Sequence, residues 1–109
     1  MNYVKIADIN EIPVGNKKKI ETAKGTILVV NIRGDFYALD NKCPHMGGSL
    51  GDGTLEGNHI ICPRHGATFD VTTGKNVRGA KIAFIKATVK DVHSYPLKVE
   101  GNEILVDFE

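Results

Sequence analysis

The sequence predicts an all-β domain, and three observations carry that prediction. β-branched and aliphatic runs recur along the chain, short Gly-containing turns separate them, and a Gly-rich stretch interrupts them at mid-chain. Residues 26–32 (T-I-L-V-V-N-I) and 36–40 (F-Y-A-L-D) flank Arg33-Gly34-Asp35 and read as one hairpin. The C-terminus repeats the device: Y-P-L-K-V-E, Gly101-Asn102, then E-I-L-V-D-F. There Leu97 and Val99 alternate with Lys98 and Glu100, the pattern of a half-buried strand. Lys17-Lys18-Lys19 reads as a solvated strand start or turn, with partner binding the lesser alternative.

One stretch departs from the β pattern. Ile82, Ile85, Val89 and Val92 recur at helical spacing, compatible with a short helix over 81–92; its β-branched residues leave a strand as the alternative.

The 109 residues suit a single domain spanning 1–109. Apolar residues are 41% and charged residues 25%, enough for a core without a disulfide scaffold. Fourteen basic against thirteen acidic residues give a net charge of +1, which argues against nucleic-acid binding by phosphate neutralisation. The longest aliphatic run, residues 27–30, is far too short for a membrane span. The N-terminus carries Asp8 and Glu11 and no long apolar core, so no secretory signal is expected.

Residues 43–79 hold eight of the twelve glycines, five of them between 47 and 57. Gly weakens both helix and strand, so this segment is expected to be loops held by something other than apolar packing. Both cysteines lie in it. The first run is Cys43-Pro44-His45 and the second is Cys62-Pro63-Arg64-His65, a C-x-H, sixteen residues, then C-x-x-H. Such short spacings project side chains toward one side of a loop. Two loops could then bring two thiolates and two imidazoles to a common centre, a donor set that suits zinc or an iron–sulfur cluster. Buried apolar cysteines, a disulfide, and a Cys–His nucleophile pair are the other readings. Zinc sites usually separate paired ligands by at least two residues, and Cys43 and His45 are separated by one.

The run from Cys43 to Lys75, C-P-H-M-G-G-S-L-G-D-G-T-L-E-G-N-H-I-I-C-P-R-H-G-A-T-F-D-V-T-T-G-K, resembles the Rieske two-iron two-sulfur motif. The flanking β segments are similar to that family's base, so the resemblance covers nearly the whole chain. It implies an antiparallel β-sandwich base, with a small Gly-rich cluster-binding subdomain over about 42–76 inserted between base strands. It also implies one 2Fe-2S cluster, with Cys43 and Cys62 on the inner iron and His45 and His65 on the outer. His59 and His93 match no ligand position and read as surface residues.

High-potential members of the family carry a further Cys in each loop, and Ser and Tyr hydroxyls toward the cluster sulfurs. The matching positions here are Gly48, Arg64, Ala67 and Phe69. The resemblance therefore implies a low-potential, oxygenase- or reductase-associated ferredoxin. Such a protein is a cytoplasmic one-electron carrier rather than an enzyme, with no small-molecule substrate of its own. Its partners would be a reductase, often flavin-dependent, and a terminal oxygenase or other redox enzyme. A permanent electron-transfer subunit of a larger complex and a zinc-structured interaction module are the alternatives. Met46 and Arg64 flank the candidate ligands, and Lys42, Lys75 and Arg78 would add a weakly positive rim for docking.

Overall fold

Among the described residues, thirteen strands follow one another: β1 (Tyr3–Asp8), β2 (Lys17–Thr22), β3 (Gly25–Ile32), β4 (Asp35–Asp40), β5 (Thr54–Glu56), β6 (His59–Ile61), β7 (Thr68–Asp70), β8 (Asn76–Arg78), β9 (Ala80–Ile82), β10 (Ile85–Ala87), β11 (Ser94–Tyr95), β12 (Leu97–Glu100) and β13 (Glu103–Asp107). Every paired strand is antiparallel to its neighbour. The structure, a computed structural model, describes residues 2–44, 47–64, 66–82, 85–87 and 89–108.

The strands form sheets ordered β1-β13-β12, β11-β4-β3-β2, β5-β6-β7-β8 and β10-β9. The apolar run in β3 explains how three of these stack. Ile27 and Val29 face a core with Ala38, Ile104 and Val106, between the β3 sheet and the β13 sheet. Leu28, Val30 and Ile32 face the opposite way, into a core with Leu39, Ile60, Phe69 and Val71. A strand buried on both faces needs no polar alternation, and β3 shows none until Asn31. Asn31 is buried, and its side chain donates to the Ile12 carbonyl at 2.8 Å and accepts from Gly34 N–H at 2.9 Å.

The first hairpin forms as expected. Ile32 pairs with Asp35, leaving Arg33 and Gly34 as the turn, both at positive φ (54° and 94°). That geometry is a type I′ turn, whose twist matches that of the strands. At the C-terminus Glu100 pairs with Glu103 across Gly101-Asn102, again as expected. The alternation in β12 is weaker than its sequence suggested: Leu97 is half-buried, but Val99 is 44% exposed. Pro96 marks where the chain leaves the β4 sheet after β11 and joins the β13 sheet as β12.

Two expectations are corrected. The helix proposed over 81–92 is not formed: β9 and β10 pair there, with Ile82 opposite Ile85 and Ala80 opposite Ala87. Val89 and Val92 beyond them are buried in the same core as Phe69, so their spacing reflects core contacts of an irregular chain. The Gly-rich segment is also more than loops. It carries β5 to β8 and contributes Leu50, Ile60, Phe69 and Val71 to the core, so apolar packing does hold it.

Candidate cluster site

Cys43 and Cys62 occupy equivalent places in two loops built alike. Cys43 N–H donates to the Gly48 carbonyl at 2.6 Å, and Gly47 N–H donates to the Cys43 carbonyl at 3.2 Å. In the second loop Cys62 N–H donates to the Ala67 carbonyl at 2.8 Å, and Gly66 N–H donates to the Cys62 carbonyl at 3.2 Å. Both loops turn at a glycine with positive φ, Gly47 at 70° and Gly66 at 77°. Glycine enters that region without a Cβ penalty, which is why each run needs it four residues after its cysteine.

Neither cysteine is in a disulfide and both are buried, Cys43 fully and Cys62 at 2% exposure. The loops abut at Gly48. A Cβ there would lie 2.8 Å from Cys62 Sγ and 3.2 Å from Arg64 Cγ. Glycine is thus required to leave room beside the second thiol. Positions 48 and 64, singled out from the sequence together, are neighbours in space. Ala67 and Phe69 are both buried, Phe69 completely, so no hydroxyl approaches from either position. His45 and His65, and Met46 beside them, lie outside the described residues. His59 and His93 are both exposed; His93 stacks edge-on against Tyr95 at 4.5 Å between ring centroids.

A support for the first loop escaped the sequence reading. Asn41, which is buried, accepts from Gly51 N–H at 2.7 Å and donates to Ser49 Oγ at 2.9 Å. Its carbonyl takes Leu50 N–H at 2.8 Å, and its own N–H reaches the Thr26 carbonyl at 3.1 Å. One residue thus ties both ends of the loop to β3. The lysine triplet adds a second tie. Lys17 donates to the Gly51 carbonyl at 2.7 Å, and Lys19 pairs with Asp52 at 2.8 Å. That bond and the Lys19 charge hold the Asp52 carboxyl below its ordinary pKa. Lys18 pairs instead with Glu11. A sequence signal for Asn41 was present only as a polar residue between a strand and a cysteine, too common to single out.

Asn41→Leu should destabilise the protein by roughly 2 kcal/mol, because Gly51 N–H is left unpaired. Asn41→Asp keeps that acceptor and should cost less. Thermal melts of the two variants check the order.

Two buried cysteines in matched loops, not joined by a disulfide and beside a glycine that clears space at one sulfur, fit an iron–sulfur cluster.

Comparison with known proteins gives the same answer. A family model described as the Rieske [2Fe-2S] domain matches residues 2–96. The ferredoxin component of naphthalene 1,2-dioxygenase/salicylate 5-hydroxylase systems from Ralstonia sp is 33% identical, covering 99% of this chain and 97% of the relative. The 3-phenylpropionate/cinnamic acid dioxygenase ferredoxin subunit of Shigella flexneri is 32% identical, covering 98% and 94%. Among solved structures, the ferredoxin of carbazole 1,9a-dioxygenase from Nocardioides aromaticivorans superposes with a TM-score of 0.82 at 29% identity, covering 97% of each chain. Another match, in a complex of reduced oxygenase and oxidised ferredoxin of a carbazole 1,9a-dioxygenase, has a TM-score of 0.78 at 25% identity, covering 95% of this chain and 91% of that one. The paired cysteine loops, the sheets that carry them and these likenesses together place the chain in the Rieske [2Fe-2S] domain family.

Proposed function

We propose that this protein is a Rieske-type ferredoxin, a one-electron carrier that takes an electron from a reductase and passes it to a terminal oxygenase. The observation that carries the reading is the pair of buried thiols held at equivalent positions in two identically bonded loops. Cys43 and Cys62 would hold one iron, and His45 and His65 the other, within a cluster-binding subdomain over about 42–76. When bound, the cluster accepts and releases a single electron. The chain's own residues do the rest. Pro44 and Pro63 fix φ after each thiolate and offer no N–H. Asn41, Lys17 and Lys19 hold the first loop to the base, so little reorganisation accompanies a change of charge. A cytoplasmic site suits a cluster held by thiolates, because disulfides are rare there, and among the described residues no helix is long and apolar enough to cross a membrane. The dioxygenase relatives support an oxygenase as acceptor and a carrier role rather than catalysis.

Iron and acid-labile sulfide analysis, EPR of the reduced protein and a redox titration test the reading. Zinc in place of iron, or no sulfide, would overturn it. The potential should lie toward the low end of the Rieske range, about −150 mV. Ala67→Ser and Phe69→Tyr should each raise it. A donor at sulfur stabilises the reduced, more negative state more than the oxidised one; a difference on the order of 1 kcal/mol is roughly 40 mV for one electron. A wild-type potential well above zero, or variants that lower it, would contradict the low-potential assignment.

A further inference from the structure

The cations of this protein divide by whether they are paired within the chain. Lys5, Lys18, Lys19 and Lys98 each meet a carboxylate within 3.4 Å. Lys24 and Lys42 meet none among the described residues, and both line a groove of about 360 Å³ beside the first cysteine loop. Lys24 comes from the β2–β3 turn and Lys42 from the residue before Cys43, so the fold brings together two charges eighteen positions apart in sequence. Both are exposed.

Gly47 and Gly48 form another wall of the groove. They add no side chain there, and Lys42 leans over the first of them: a Cβ at Gly47 would lie 3.4 Å from Lys42 Cε. The other polar groups of the groove are already engaged. The Asp40 carboxylate accepts the Tyr95 hydroxyl, and the Asn41 amide is bonded to Ser49 and Gly51. The desolvated Tyr95 phenol beside that carboxylate is pushed up to about 12, so the bond persists through neutral pH. The groove therefore offers two ammonium groups that form no ion pair among the described residues, beside one carboxylate, Asp40, which the Tyr95 hydroxyl occupies without neutralising it, and its volume exceeds what a lone carboxylate or phosphate fills. On its far wall, Gly48 is the residue that clears space at Cys62 Sγ.

We propose that this groove docks a short acidic segment of a protein redox partner, its carboxylates on Lys24 and Lys42 and its backbone against Gly47 and Gly48. The proposal rests on the electron-carrier reading, and it adds the β2–β3 turn to the docking surface, a part of the chain remote in sequence from both cysteine loops. A partner seated there is separated from the Cys62 sulfur by the Gly48 residue. Opposed charge of this kind acts on association and its salt dependence.

The test is an amide chemical-shift titration of the iron-loaded, ¹⁵N-labelled protein at low salt, with hexaglutamate and separately with inorganic phosphate as probes. Hexaglutamate should shift the amides of Lys24, Gly25 and Thr26 saturably, and phosphate at equal charge should not. The double variant Lys24→Glu/Lys42→Glu should weaken hexaglutamate binding about tenfold or more, whereas Lys75→Glu/Arg78→Glu should change it less than about twofold. Iron content and the EPR spectrum should match the wild type in both. Equal losses in the two double variants, no loss in the first, or saturable phosphate binding at the same amides would overturn the groove. Because the peptide is redox-inert, the titration reads the groove independently. Failure of the carrier reading appears separately, as missing iron and sulfide.

Discussion

Replacing either cysteine with serine should abolish the bound iron. Cys43→Ser and Cys62→Ser each remove one of two thiolates from a site with no spare thiol, and a hydroxyl does not supply the soft donor that iron–sulfur chemistry needs. The visible colour and the EPR signal of the reduced state should both disappear. Stability should fall as well, because a group bound only by the native state stabilises it by mass action, here taken as roughly 3 kcal/mol. For a domain near this size that corresponds to a drop in Tm of about 12–24 °C. The loss should be partial. The core between β3 and β13 contains neither cysteine, and Leu28, Val30, Ile60 and Phe69 remain packed in the other. Far-ultraviolet circular dichroism should therefore keep its β signature while the melt moves down. A serine variant with wild-type iron content and colour would remove these thiols from the ligand set. One that loses all β signal would mean that the cluster, and not the apolar cores, holds the base together.

Much of this was legible because the local signals agreed with one another. The β-branched, aliphatic run at 26–32 reads as a strand, and the Arg33-Gly34-Asp35 turn before 36–40 makes it half of a hairpin. Cys-Pro at the start of each loop and Gly after each cluster of candidate ligands exposed the duplication. What could not be read was long-range. The helical spacing over 82–92 arose from a non-helical chain whose Val89 and Val92 are buried in a core supplied by strands as far as 64 residues away, from Leu28 to Val92, and periodicity alone does not distinguish that from a helix. The lysine triplet is the solvated strand start that its sequence suggested, opening β2, but the ties it makes to the first cysteine loop were not visible. The partners of Lys17 and Lys19, Gly51 and Asp52, lie more than thirty residues on. Glycine-rich composition suggested loops without a core, but Ile60 and Phe69, paired across β6 and β7, are both fully buried.

Gly74→Ala should be among the most damaging single substitutions outside the cysteines. Thr73-Gly74-Lys75 closes the Gly-rich segment, and the structure gives the glycine two independent reasons. Its φ is 82°, where a side chain costs about 1–2 kcal/mol. A Cβ there would also fall 2.1 Å from the Val92 carbonyl oxygen, a backbone atom that cannot swing away. Relief requires the two chains to part. Parting them breaks the bond from Val92 N–H to the Gly74 carbonyl, now 2.8 Å, and draws Val92 out of the core. Strain, one hydrogen bond of about 1 kcal/mol and part of a buried valine together suggest a loss of roughly 3–5 kcal/mol. Gly15 is a clean control. Its φ is also 82°, and nothing lies within 4 Å of where its Cβ would stand. Gly15→Ala should therefore show only the conformational cost, and the difference between the two variants isolates the overlap. Denaturant melts should place Gly74→Ala at least about 2 kcal/mol below Gly15→Ala. Equal stabilities would mean that the Gly74–Val92 approach is looser in solution than in this structure. A loss confined to Gly74→Ala, accompanied by weaker iron retention, would show that the crossing of residues 74 and 92 helps hold β7, and through Ala67 the second cysteine loop, in place.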